Sequence, residues 1–299
     1  MALTMTARLL CAARHAYMVA ANGPVPPAPY LGDIGYANPA GFASGDDRID
    51  AGLVGEAPDA IIVAFRGTLP PQSPDRAQVI LDWANDCNAL LTADPLGLPG
   101  KVHAGFLGAV DALWPAMQPA VAALIAASPG KPIYITGHSK GGPMANIAAA
   151  RLYKLQPHAA IYVCTFAGAR AGDTDFATAY EAVTNSDRYE FADDIVPHLP
   201  PMDALRVLAK HLPMKDSLPQ IAASIDAFPA GYVSVGNLHF IEWDGTIVPE
   251  SVILEVERIA SLMKVLGELQ FATIVADHSI DPPNPPDPPN PCYYSELYR

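Results

Sequence analysis

The chain has 299 residues, long enough for one large α/β domain or two small ones, and no linker divides it. Lys and Arg total 18 against 31 Asp and Glu, a formal charge of −13 with no basic cluster, which argues against nucleic acid as a partner. No apolar run reaches the roughly 18 to 20 residues that would span a bilayer, so no transmembrane segment is expected.

In chain order, the first twenty residues (MALTMTARLLCAARHAYMVA) place Arg8, Arg14 and His15 where a signal peptide would have its apolar stretch. They read as an amphipathic helix, so the chain is expected in the cytoplasm or exported by a route other than a cleaved Sec signal. Ala60 to Phe65 is a continuous apolar run of β-rich residues, the signature of a central strand. Gly105 to Ser128 carries Phe106, Val110, Leu113, Met117, Val121 and Leu124 at helical spacing. A short strand follows at Pro132 to Thr136, a helix at Pro143 to Lys154 and a buried strand at Ala160 to Phe166. Next come a helix around Thr174 to Val183 and a strand at Arg188 to Phe191. Leu238 to Trp243 turns at Asp244-Gly245 into Thr246 to Val248, a hairpin pattern, and Val252 to Leu266 is helical. Pro282 to Pro291 (PPNPPDPPNP) cannot enter helix or sheet interior and reads as an extended surface arm. Strands alternating with helices predict an α/β fold, a largely parallel central sheet covered on both faces, in a single domain.

The segment Tyr134-Ile-Thr-Gly137-His-Ser139-Lys-Gly141-Gly142 joins an apolar strand to an Ala-rich helix. One serine stands at the corner, with glycines two residues to either side. That is the pattern of a nucleophile elbow, in which a strained turn lifts the serine hydroxyl clear of the sheet. Pro143 suits the first helical turn, where its missing N–H would have had no intrahelical acceptor. Ser139 is therefore the candidate nucleophile.

A serine at its ordinary acidity needs a base, and the base needs a group to orient it. Asp194, after the strand ending at Phe191, would lie at a strand's carboxyl end, where reacting groups of such sheets gather. Of the eight histidines, His15, His158 and His211 read as surface residues. His138 is in the elbow and points away from Ser139 by alternation, His103 precedes the elbow, and His198 is too close in sequence to Asp194. His278, opening an irregular segment after the run Phe271 to Ala276, and His239, within a strand, stay as candidate bases, the loop position favouring His278. The Lys140 N–H at the start of the elbow helix and the N–H and hydroxyl of Thr68 are candidate donors to an oxyanion. The four cysteines fit no metal pattern; Cys164 reads as a free buried thiol, and the pairing of Cys11, Cys87 and Cys292 is open. Chemistry of this kind needs neither a metal nor an organic cofactor.

Six segments in order resemble the class 3 lipase family, the α/β-hydrolases that include the fungal triacylglycerol lipases. They are Val63-Ala-Phe-Arg-Gly-Thr68, Val102-His-Ala-Gly-Phe106, the elbow, Thr165-Phe-Ala-Gly-Ala-Arg-Ala-Gly-Asp173, Asp194-Ile-Val-Pro-His-Leu-Pro200 and Asp277-His-Ser279. The resemblance implies an α/β-hydrolase fold and a serine ester hydrolase, with Ser139 as nucleophile, Asp194 as acid, His278 as base, and Thr68 with Lys140 as the oxyanion hole. It implies an ester or lipid substrate, acylglycerols first, at a lipid–water interface; a short-chain or feruloyl-type esterase and a non-catalytic binding module are the alternatives. Leu69 to Trp83 occupies the place of the family's lid, and Met202 to Ala230 reads as an added cap. Lys140 stands where the fungal members often have an apolar residue, and the proline arm displaces the helix that would normally steady His278.

Overall fold

The computed structural model describes residues 3–27, 34–45, 49–68, 89–203, 206, 228–268, 270–280 and 293–297. The segments read as lid (69–83) and proline arm (282–291) lie outside the described residues, as do most of the segment read as a cap (202–230), His211, Cys87 and Cys292.

Among the described residues thirteen strands form two sheets: β1 Gly23–Pro24, β2 Ala40–Ser44, β3 Asp50–Glu56, β4 Ile61–Phe65, β5 Leu91–Thr92, β6 Val102–His103, β7 Ile133–His138, β8 Ile161–Phe166, β9 Gly172–Asp173, β10 Asn185–Phe191, β11 Tyr232–Val233, β12 Asn237–Ile241 and β13 Ile247–Pro249. The helices are α1 Met5–His15, α2 Ala104–Ala127, α3 Gly141–Leu155, α4 Thr174–Glu181, α5 Val252–Gly267, α6 Phe271–Asp277 and α7 Tyr293–Leu297. The main sheet runs β1-β2-β3-β4-β7-β8-β10-β12-β13. Its centre, β4 through β12, is parallel, and its flanks are antiparallel. A small second sheet pairs β11-β9-β6-β5.

The central strands are apolar on both faces because both faces are covered. In β4, Ile61, Val63 and Phe65 join Ile133, Ile135, Ile161 and Val163 in a core shared with α2 and α3. Ile62 and Ala64 point the other way, into a core with Leu9, Leu10, Cys11, Cys164 and Phe166 under α1. Fully burying a side chain such as Phe65 or Ile61 stabilises the fold by about 1.5–3 kcal/mol. The Thr4 hydroxyl caps α1 by accepting the Ala7 N–H at 3.1 Å. This helix is sunk more deeply than a surface amphipathic helix. His15, expected at the surface, is buried, with Nε2 2.7 Å from the Pro26 carbonyl and Nδ1 3.1 Å from the Tyr36 hydroxyl.

By length and composition alone α2 is long and apolar enough to cross a membrane, which the sequence reading did not pick out. Its stripe Phe106, Val110, Leu113, Met117 and Val121 packs into the core beneath the sheet. Its Asp111 accepts from the buried Arg151 of α3 at 2.6 Å, beside the Arg151–Asp94 pair. Cys11 and Cys164 are buried thiols that form no disulfide among the described residues.

The parallel arrangement sets the site. Thr68 follows β4, Ser139 follows β7 and Asp194 follows β10, so all three stand beyond the carboxyl ends of parallel strands.

Candidate active site

Ser139 has φ +58°, a left-handed conformation that a non-glycine residue adopts only when its surroundings impose it. Its N–H donates to the Phe166 carbonyl at 3.0 Å across the sheet end, and the Gly142 N–H bonds back to its own carbonyl at 2.9 Å. The two elbow glycines are required by space. A Cβ on Gly137 would lie 2.1 Å from the Gly141 oxygen, and one on Gly141 would lie 2.3 Å from the Phe65 oxygen. The chain thus crosses over itself, and the hydroxyl of Ser139 is thrust outward from the corner.

His278 caps the C-terminus of α6, its N–H bonded to the Ile274 carbonyl at 3.1 Å. Its Nε2 lies 3.0 Å from Ser139 Oγ, and its Nδ1 lies 2.9 and 3.0 Å from the two carboxylate oxygens of Asp194. Asp194 is buried but well supplied with donors. Besides His278, the Val196 N–H reaches Oδ1 at 3.0 Å, and the Tyr293 hydroxyl, buried in α7, donates to Oδ2 at 2.9 Å. Burial and the neighbouring Asp194 charge keep the Tyr293 phenol protonated, so it acts as a donor throughout the ordinary pH range.

A positive φ of 42° at Ala192 turns the chain out of β10 so that Asp194 faces inward. Its neighbour Asp193 accepts from Trp243 Nε1 at 3.0 Å, and the Asp193 N–H donates to Asp277 at 3.1 Å. Burial, with the charges of Asp194 and Asp193 added, raises the Asp277 carboxyl to about 7.

Thr68 stands directly after Gly67, which abuts the elbow: a Cβ on Gly67 would come within 3.0 Å of Ser139 Cβ. Thr68 Oγ1 is buried and has no hydrogen-bond partner among the described residues. An unpartnered buried hydroxyl carries a desolvation cost that only a ligand atom or water would offset. The Lys140 N–H is at the head of α3, where the first amides have no intrahelical acceptor. The Lys140 side chain turns aside to Asp50 of β3, Nζ to Oδ1 2.5 Å, so its charge is neutralised beside the site.

The remaining histidines are employed elsewhere. His239 bonds Asp187 at 3.0 Å and stacks on Tyr189, and no described hydrogen bond joins it to Ser139 or Asp194. His103 caps α2 by accepting the Gly105 and Phe106 amides, and burial drives its imidazole down to about 3. His198 is buried against Arg258 and, by burial and the Arg258 and Arg170 charges, stays neutral. His158 is exposed. Sequence reasoning missed Tyr293, which lies beyond the proline run in no recognisable pattern, and gave no task to His138, whose ring is in contact with that of His278 at 4.8 Å between centroids. Among the described residues no three of His, Cys, Asp or Glu gather to hold a metal ion.

A doubly covered, mainly parallel sheet with a strained serine at the strand-to-helix corner defines an α/β-hydrolase fold. Solved lipase structures share it: Lipase II from Rhizopus niveus superposes with TM-score 0.53 at 24% identity, covering 71% of each chain. A triacylglycerol lipase, described as having a serine protease triad as its catalytic centre, gives TM-score 0.59 at 19% identity over 82% of each chain. In sequence, the family profile described as Lipase (class 3) matches residues 62–204. The Rhizopus niveus lipase is 35% identical over 105 residues, 34% of this chain and 27% of that protein. Secreted mono- and diacylglycerol lipase 1 of Fusarium solani is 37% identical over 143 residues, 48% of this chain and 40% of that protein. Over residues 62–204 the chain is thus similar in sequence to the class 3 lipases. Its matches take in between 27% and 40% of the length of these curated relatives.

Proposed function

We propose that this protein is a serine-dependent carboxylic ester hydrolase, acting on acylglycerols through an acyl-enzyme, within one α/β-hydrolase domain. The observation that carries the reading is the unbroken contact from Ser139 Oγ to His278 Nε2 at 3.0 Å and from His278 Nδ1 to Asp194 at 2.9 Å. A carboxylate can only accept, so Nδ1 carries the proton and Nε2 is left with the lone pair that faces the serine.

On this reading His278 takes the Ser139 proton as Oγ attacks the ester carbonyl. Asp194 holds the ring's tautomer and stabilises the imidazolium that forms. Negative charge developing on the carbonyl oxygen meets the Lys140 N–H and the Thr68 N–H and hydroxyl. The imidazolium then protonates the departing alcohol, leaving the acyl group on Ser139. Water, deprotonated by His278, attacks the acyl-enzyme and returns the site to its starting state.

Two features of the chain support the assignment of donors: the unpartnered Thr68 hydroxyl and the amide-rich start of α3. The relative described as a mono- and diacylglycerol lipase supports acylglycerol esters as the substrate class. The test is hydrolysis rate against acyl length, measured above and below each ester's solubility limit. Turnover of emulsified long-chain acylglycerols is expected. Turnover confined to dissolved short-chain or hydroxycinnamoyl esters would replace the lipase reading by an esterase one, and no turnover at all would leave a binding protein.

A further inference from the structure

His138 is the last residue of β7, buried, and next in sequence to the candidate nucleophile. Its ring bridges two parts of the chain that are far apart in sequence. Nε2 lies 2.9 Å from the main-chain carbonyl oxygen of His278, and Nδ1 lies 2.9 Å from the hydroxyl of Tyr17, in the turn after α1. The carbonyl has no proton to give, so Nε2 must be the protonated nitrogen. Nδ1 is then the acceptor, and Tyr17 is the donor. Burial, with His278 close by, holds the ring neutral, which this pattern of one donor and one acceptor requires.

The His278 carbonyl needs such a partner. It lies at the C-terminus of α6, among the helix-end carbonyls with no intrahelical donor. The helix ends at Asp277, and Ser279 and Ile280 are not helical, so the backbone here is outside regular structure. The backbone of His278 is therefore held from behind by His138, while its ring is held in front by Asp194 and Ser139. Because His138 and Ser139 are adjacent, any movement of the elbow carries the support of the base along with the nucleophile. Tyr17 fits against the same corner: a Cβ on Gly67 would lie 2.1 Å from its hydroxyl oxygen, so Gly67 leaves the space that Tyr17 fills.

We propose that His138 is a positioning residue, setting the place of the His278 imidazole through the His278 main-chain carbonyl, with Tyr17 fixing which His138 nitrogen bears the proton. The inference rests on the catalytic reading of Ser139, His278 and Asp194. It accounts for a histidine in the elbow that has no proton to exchange with substrate. It also assigns the N-terminal segment a part in the site, since Tyr17 arrives from the turn that follows α1.

The experiment compares His138→Phe, His138→Gln and Tyr17→Phe with the wild type on a water-soluble short-chain p-nitrophenyl ester, with thermal unfolding measured alongside. Phe keeps the ring's bulk and removes both polar atoms; Gln keeps an amide donor at about the reach of Nε2. A displacement of about 1 Å in a reacting group costs on the order of 10²-fold in rate. His138→Phe should therefore lose about 10- to 100-fold in kcat with KM unchanged, and His138→Gln should recover most of that loss. Tyr17→Phe should lose several-fold in kcat and should have no further effect in the His138→Phe background. Should His138→Phe fail to fold, His138→Gln and Tyr17→Phe carry the test through their own kcat losses at unchanged KM. A His138→Phe enzyme with wild-type kcat, or a His138→Gln enzyme no better than His138→Phe at equal stability, would overturn the role of His138. A wild-type Tyr17→Phe would overturn the tautomer lock. A wild-type protein that neither cleaves the ester nor takes up a fluorophosphonate at Ser139 would instead remove the catalytic reading itself.

Discussion

Replacing Thr68 by Val pulls stability and activity in opposite directions. Thr68 Oγ1 is buried without a partner among the described residues, and a buried unsatisfied hydroxyl costs about 1–3 kcal/mol. Val keeps the branched shape and removes the orphan, so the folded state should gain on the order of 1 kcal/mol, a rise of roughly 2–4 °C in Tm for a domain of this size. If the hydroxyl waits for an oxyanion, the same change removes one transition-state donor, a loss of roughly 3–4 kcal/mol or about 10²- to 10³-fold in kcat. Steady-state kinetics on a soluble ester and a thermal melt measure both arms. A Thr68→Val enzyme with kcat within threefold of the wild type would refute the donor assignment. A fall in Tm together with kcat would show that the hydroxyl serves the fold.

Tyr293→Phe removes one of the donors to the buried Asp194 carboxylate, a charge-assisted bond of about 1.5–3 kcal/mol, and should lower both Tm and kcat; a variant with wild-type Tm and kcat would contradict the support given to Asp194. Gly137→Ala should abolish soluble expression or lower Tm by more than 10 °C, since its methyl would sit 2.1 Å from the Gly141 oxygen; a folded, active variant would contradict the crossing at the elbow. Asp277 has its carboxyl raised to about 7 in the fold, so it binds a proton there that the unfolded chain releases above about 4. Stability from this group is therefore full at low pH and declines as pH rises from about 4 through 7, and Asp277→Asn should flatten that decline in Tm measured from pH 5 to 8.5.

The parts of the fold that were legible are those where one local rule dominates. β4, β7 and β8 are continuous apolar runs because both faces of the sheet are covered, and the elbow glycines mark a crossing that admits no side chain. Strands β2 (AGFAS) and β3 (DAGLVGE) carry no such signal. Their Gly- and Ala-rich sequences have low strand propensity and become strands through pairing with β4, a tertiary effect. The surface expectation for His15 fails because helical periodicity does not reveal that Pro26 and Tyr36, distant in sequence, meet its ring. His278 was left beside His239 by the residues alone, because the contact with Ser139 depends on how α6 is set against the sheet. Tyr293 was invisible for the same reason: α7 is placed by packing against β10 and α1, where Tyr293 meets Phe191 and His138.

The most direct measurement of the central claim is mass mapping after exposure to a fluorophosphonate, comparing the wild type with Ser139→Ala and His278→Ala. One phosphonyl group on the peptide carrying Ser139 in the wild type, none in Ser139→Ala and slow uptake in His278→Ala is the predicted result. An unlabelled wild type, or one labelled at the same rate when His278 is absent, would contradict the account.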